Sequence, residues 1–114
     1  MRAERLRRTK DIELLRSEGA LTVDPHFTIR AKPNGLDIVR VAVASPRAVG
    51  TAVRRNRARR RVREAIRTRL ERRKGTAGVD LLVIARAAAL VAAPEQLLQA
   101  VAGRLDAVLG PERA

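Results

Sequence analysis

The sequence predicts an α/β protein of the α+β kind, a two-layer α-β sandwich with elements in the order α-β-β-β-α-β-α. Three observations predict it. Short runs alternate apolar and polar residues, two longer segments repeat apolar residues at helical spacing, and turn or capping residues separate them. The whole chain, residues 1–114, is expected to form one domain, because 114 residues suffice for one core.

Thr9 is placed to cap a first helix carrying Ile12, Leu14, Leu15 and Arg16, with Gly19 as its end. A short strand is expected over 21–23, before Asp24-Pro25. Over 26–31, Phe27, Ile29 and Ala31 point one way and His26, Thr28 and Arg30 the other. Phe27 is therefore read as core, and His26 as an exposed structural residue. Pro33-Asn34-Gly35 signals a turn. A third strand follows over 38–44, with Val39, Val41 and Val43 on the core face. Pro46 breaks that strand, and Thr51 caps a long helix reaching about Arg73 with the apolar stripe Ala58, Val62, Ala65, Ile66, Leu70. After a loop over 75–78, the apolar run 79–85 has the length of a central strand covered on both faces. Pro94 opens a last helix whose Leu97, Leu98, Val101, Leu105, Val108 and Leu109 face inward, and Gly110-Pro111 stops it.

Composition narrows the function. The chain has no Cys, Trp or Tyr and one Phe, so disulfides and thiolate metal sites are excluded and the core is aliphatic. Its apolar runs are too short to span a bilayer, which needs roughly 20 residues. Arg2, Arg5, Arg7 and Arg8 are not followed by an apolar segment, so no secretory signal is expected. A cytoplasmic protein is the expectation. The net charge of +13, carried almost wholly by Arg, points to a polyanionic partner. Arg offers a planar fork that grips phosphate through two hydrogen bonds.

That charge is concentrated. Residues 54–74 hold 12 basic side chains against Glu64 and Glu71, +10 of the net +13. Like charges three or four apart destabilise an isolated helix by a few tenths of a kcal/mol per pair. A phosphate backbone relieves that repulsion and releases counterions. Glu64 is read as an intrahelical partner of Arg60 and Arg67.

Spacing separates RNA from other polyanions. The stretch Ser45-Pro-Arg-Ala-Val-Gly-Thr-Ala-Val-Arg-Arg-Asn-Arg-Ala-Arg-Arg-Arg-Val-Arg-Glu64 resembles the signature of the bacterial ribonuclease P protein family. In that signature a strand ends in Ser, a basic loop leads to Gly-Asn-Ala-Val, and Arg-Asn-Arg-x-Lys/Arg-Arg-x-x-Arg-Glu follows on a helix. Lys10-Asp11-Ile12 is similar to the family's Lys/Arg-Asp-Phe, and Leu82-Val83-Ile84-Ala85-Arg86 to its Val-Ile-Ala-Arg strand end.

The resemblance implies a subunit of an endoribonuclease whose chemistry is performed by magnesium ions on a catalytic RNA. No catalytic residue and no metal ligand is expected on the protein. It implies that Arg55, Arg59, Arg60 and Arg63 contact the ribonuclease P RNA, with Asn56, Arg57 and Arg61 shaping or extending that surface. It further implies a cleft for the 5′ leader of precursor tRNA at Ile12 and Arg16 on the first helix, Thr28 and Arg30 on the second strand, and Arg47 in the loop. Neither a membrane nor a small-molecule substrate is expected. The family's strand–helix–strand crossover is left-handed, against the general right-handed rule.

The chain departs from the family at several cleft positions, where Ile12, Arg16 and Arg30 stand for aromatics. Base stacking on a ring contributes about 1–3 kcal/mol, so the leader here is expected to be held by guanidinium stacking, phosphate contacts and shape. Pro46 replaces a usual basic residue, and Thr51 the usual Asn. The scattered Asp residues and lone His show no metal-ligand spacing, and no acid–base constellation assembles. Three readings compete: a ribosomal protein or RNA chaperone, a DNA-binding basic helix, and a membrane-surface helix. The DNA reading lacks a helix-turn-helix spacing or dimerising heptad, and the membrane reading lacks aromatic anchors.

Overall fold

The computed structural model describes residues 3–75 and 77–112; Arg2 and the loop residue Thr76 lie outside them. The elements are β1 (Ala3–Arg5), α1 (Thr9–Glu18), β2 (Ala20–Val23), β3 (Phe27–Pro33), β4 (Val39–Ala44), α2 (Ala52–Arg72), β5 (Val79–Ala85), α3 (Ala88–Val91) and α4 (Pro94–Leu109), with a 3₁₀ turn at Arg47–Val49. The expected order is present, with two additions: the strand β1 and the short helix α3.

One five-stranded sheet runs β1-β4-β5-β3-β2. β5 is central, parallel to β4 and antiparallel to β3, so β4, α2 and β5 form the strand–helix–strand unit. β1 lies along the β4 edge in parallel, Arg5 opposite Val41. The alternation of β3 and β5 divides the core. Phe27, Ile29, Leu81, Val83 and Ala85 join Val62, Ile66 and Leu70 of α2 and Leu97, Val101 and Leu105 of α4 on one face. Leu82 packs on the other face with Leu6 and Leu15, with Ile12, Ala42 and Ile84 against them. Thus α2, α3 and α4 form the helical layer, and α1 covers part of the opposite face.

α2 forms despite its charge because its apolar stripe is buried. Burying a Val, Ile or Leu side chain stabilises by about 1.5–3 kcal/mol, which outweighs repulsions of a few tenths each. All five stripe residues, Ala58, Val62, Ala65, Ile66 and Leu70, are buried. The Thr51 hydroxyl accepts from Arg54 N at 3.3 Å and caps the helix. Gly50 precedes it at φ 132°, a conformation that disfavours any residue with a Cβ.

Three local expectations are corrected. Thr9 is the first residue of α1, Arg8 takes the cap position, and no side chain caps that helix. His26 is held inside: its side chain is 15 % exposed, and Asp24 Oδ1 lies 2.9 Å from Nδ1 and accepts from His26 N at 2.8 Å. Glu64 pairs with Arg67, and Arg60 has no bond to it.

The Pro33-Asn34-Gly35 turn is fastened to β5. Asn34 Nδ2 donates to Asp80 Oδ1 at 2.9 Å, and Arg40 donates to both Asp80 oxygens at 2.7 and 2.6 Å. Gly78 passes so close that a Cβ there would sit 1.9 Å from Leu36 O. Only glycine fits.

Candidate nucleic-acid interface

α2 turns its stripe to the sheet, so its remaining arginines fan across the solvent side and both flanks. They fall into two groups. Toward the C-terminus the protein's own acids take three of them: Arg67 pairs with Glu64 and Glu71, and Arg69 and Arg73 converge on Asp106 of α4, while Arg72 is exposed. Burial alone would raise the Asp106 carboxyl. Hydrogen bonds from Arg69 and Arg73, with their charges, outweigh it and hold the group below its ordinary value. Toward the N-terminus the supply of acid ends. Among the described residues, Arg54, Arg55, Arg57, Arg59, Arg60 and Arg63 have no carboxylate partner.

The residues expected to meet RNA are therefore mostly, but not uniformly, free. Asn56 is exposed and accepts a hydrogen bond from Arg59 Nη2. Arg57, Arg60 and Arg63 are exposed, and Arg55 and Arg59 half-buried. Arg61 differs. It faces α3, donating Nη1 to Ala89 O at 2.6 Å and Nη2 to Ala92 O. These carbonyls end α3, where a cation is favoured by the helix dipole. Arg61 thus lies on the packed flank, away from the open ridge.

Val53, 77 % exposed, extends the ridge at the first turn of α2. The protein leaves this apolar side chain largely uncovered.

The expected leader positions are set on the other face. Thr28 and Arg30 lie opposite Ile84 and Leu82 of β5 in register, the face that α1 covers. Ile12 is half-buried against that second cluster, and Arg16 is exposed in the last turn of α1. Arg30 Nη1 reaches Gly19 O at 3.5 Å, at the C-terminal end of α1. Arg47 is exposed in the 3₁₀ turn, three residues beyond Ala44, which shares a sheet row with Ile84 and Thr28. Leu21 and Val23 of β2, opposite Arg30 and Thr28, extend this face and are half exposed. Sequence reasoning missed these two, although their spacing of two already put them on one face. It also missed the edge strand β1, which sets Arg5 beside Val41, because β1 carries no periodicity of its own.

Among the described residues no three His, Asp or Glu side chains converge to hold a metal ion, and no helix is long and apolar enough to cross a membrane.

A sheet backed by one helical layer, with a helix whose N-terminal half bears unneutralised guanidinium groups, defines a class: a basic α+β domain built to engage a nucleic-acid backbone. Residues 1–108 match the family described as Ribonuclease P. The chain belongs to the ribonuclease P protein family. A ribonuclease P protein component of Chloroflexus aggregans is 41% identical over 99 residues, covering 87% of this chain and 72% of that protein. That of Herpetosiphon aurantiacus is 38% identical over 105 residues, covering 92% and 84%. The solved RNase P protein of Thermotoga maritima superposes with a TM-score of 0.80 at 28% identity, covering 94% and 99% of the two chains. That of Staphylococcus aureus, at 21% identity and covering 96% and 100%, shares the fold with a TM-score of 0.77.

Proposed function

We propose that this chain, acting as one domain, is the protein partner of a catalytic ribonuclease P RNA in tRNA 5′ maturation. α2 docks on that RNA through Arg55, Asn56, Arg57, Arg59, Arg60 and Arg63. The face carrying Ile12, Arg16, Thr28, Arg30 and Arg47 receives the single-stranded 5′ leader of precursor tRNA. Scission is left to the RNA, with magnesium held by the RNA and substrate. The site of action is the cytoplasm.

One observation carries this reading. The signature-bearing half of α2 holds guanidinium groups without a carboxylate partner among the described residues, while beyond it Arg67, Arg69 and Arg73 pair with the protein's own acids and Arg72 stays exposed. Each phosphate engaged by a free guanidinium contributes about 0.7–0.9 to the slope of log affinity against log salt. The test is reconstitution of the purified chain with its organism's ribonuclease P RNA and a precursor tRNA. Faster leader removal at low magnesium is expected. Cleavage indifferent to the protein, with tight binding to ribosomal RNA instead, would move the chain to the RNA-chaperone class.

A further inference from the structure

An open groove of about 660 Å³ runs between β1 and α2. Val41, Ile66 and Leu70 form its apolar floor, and Arg5 and Arg63 stand on its two banks. The alternation of β1 makes this placement specific. Ala3 packs on the main core and Arg5 pairs in register with the core-facing Val41, so Arg5 faces the α2 side. Glu4 also borders the groove, but pairs in register with Arg40, on the opposite face. On α2, Arg59 and Arg63 are four residues apart and lie on one flank.

The Arg5 and Arg63 guanidinium groups border this groove without an ion pair among the described residues, and Arg59, whose Nη2 donates to Asn56 Oδ1, adds its charge one turn away from Arg63. Partial desolvation of the otherwise exposed Arg63 guanidinium first, then the charges of Arg5 and Arg59, push it below its ordinary value. Arg67, farther along the groove, is already satisfied by Glu64 and Glu71. One end of the groove is therefore neutral and the other cationic. An apolar floor beside a cationic bank suits a sugar-phosphate segment, with the carbon face of the ribose below and the phosphate between planar forks.

We propose that Arg5 and Arg63 hold one backbone phosphate of the RNA in this groove, making β1 part of the RNA-binding surface. The inference rests on α2 being the RNA face, and adds a binding residue from outside the signature. A phosphate shared by both banks also pins β1, a three-residue edge strand paired on one side only.

Two measurements on the full chain test it. In the first, inorganic phosphate is titrated while the arginine Nε–H signals are followed by NMR. The Arg5 and Arg63 signals should shift together with one midpoint, and R5Q should abolish the shift at Arg63. In the second, affinity for the ribonuclease P RNA is measured across salt concentrations for R5Q, R63Q, the double variant and R60Q. R5Q and R63Q should each weaken binding several-fold and lower the salt slope by about 0.7–0.9, and the double variant should lower it no further. Unchanged RNA affinity and slope in R5Q, beside a loss in R60Q, would overturn the groove site and leave α2 as the RNA face. Loss in neither R5Q nor R60Q would overturn both. A phosphate response without any RNA effect of R5Q would show a free-phosphate site and overturn the RNA assignment.

Discussion

Arg73, 3 % exposed, donates Nη1 to Asp106 Oδ1 at 2.7 Å and Nη2 to Gly110 O at 2.6 Å, tying the end of α2 to the end of α4. A charged group so deeply placed requires a partner. The most basic segment of the chain thus carries arginines paired inside the protein and arginines left without a carboxylate partner among the described residues, and the boundary between them lies within a single helix.

Removing the acid at that junction should destabilise the fold without touching RNA recognition. D106N removes the carboxylate that Arg69 and Arg73 share. A loss of about 1–3 kcal/mol in denaturant unfolding is expected, since hydrogen bonds to charged groups contribute about that much. The salt slope of RNA binding should stay unchanged; a fall in that slope would place Arg69 or Arg73 on the RNA.

Acid should act through the same carboxylate. Asp106 and Asp24 are both held below the ordinary 3.8 against the opposing effect of burial, Asp106 by Arg69 and Arg73, Asp24 by His26 and Arg104. The unfolded chain therefore takes up protons first as pH falls. The stability these groups contribute is complete above about pH 5 and is lost as pH drops through their lowered values. Unfolding followed from pH 6 to pH 2 should show a shallower acid loss in D106N than in the parent protein. Equal loss in both would detach Asp106 from the effect.

Arg60 and Arg61 are neighbours in sequence with opposite expected behaviour. R61Q removes charge-assisted bonds to Ala89 O and Ala92 O and should cost about 1–2 kcal/mol of stability, with RNA affinity at most slightly changed. R60Q should leave the melting temperature nearly fixed and weaken RNA binding with a lower salt slope. Thermal melts beside RNA titrations of both variants check the pair.

Leader recognition should be separable from docking on the RNA. Arg16 and Arg47 are exposed, and their side chains make no internal hydrogen bond or ion pair among the described residues. R16Q and R47Q should each lower the preference for precursor over mature tRNA several-fold while affinity for the RNA subunit holds. Competition binding with a leader-bearing and a leaderless tRNA measures this, and an unchanged preference in both variants would remove them from the cleft.

Much of the fold was readable because it is local. The apolar run of β5 and the stripe of α2 each announce their element through side chains a few residues apart, and Phe27 sits in the core as its alternation requires. β1 was not readable. Its three residues among arginines gain their place from pairing with β4, far along the chain. α3 is four residues of Ala, Leu and Val with no turn of periodicity to expose it. The charge of α2 was evident at once, yet its division was not. Asp106 lies 33 residues beyond Arg73, and Ala89 28 beyond Arg61. No spacing rule within α2 points that far.

Charge reversal on the free half of α2 tests the central claim most directly. R55E, R59E and R60E combined should abolish the protein's activation of ribonuclease P RNA at low magnesium, with the fold retained by circular dichroism. Full activation by that folded triple variant would contradict the account.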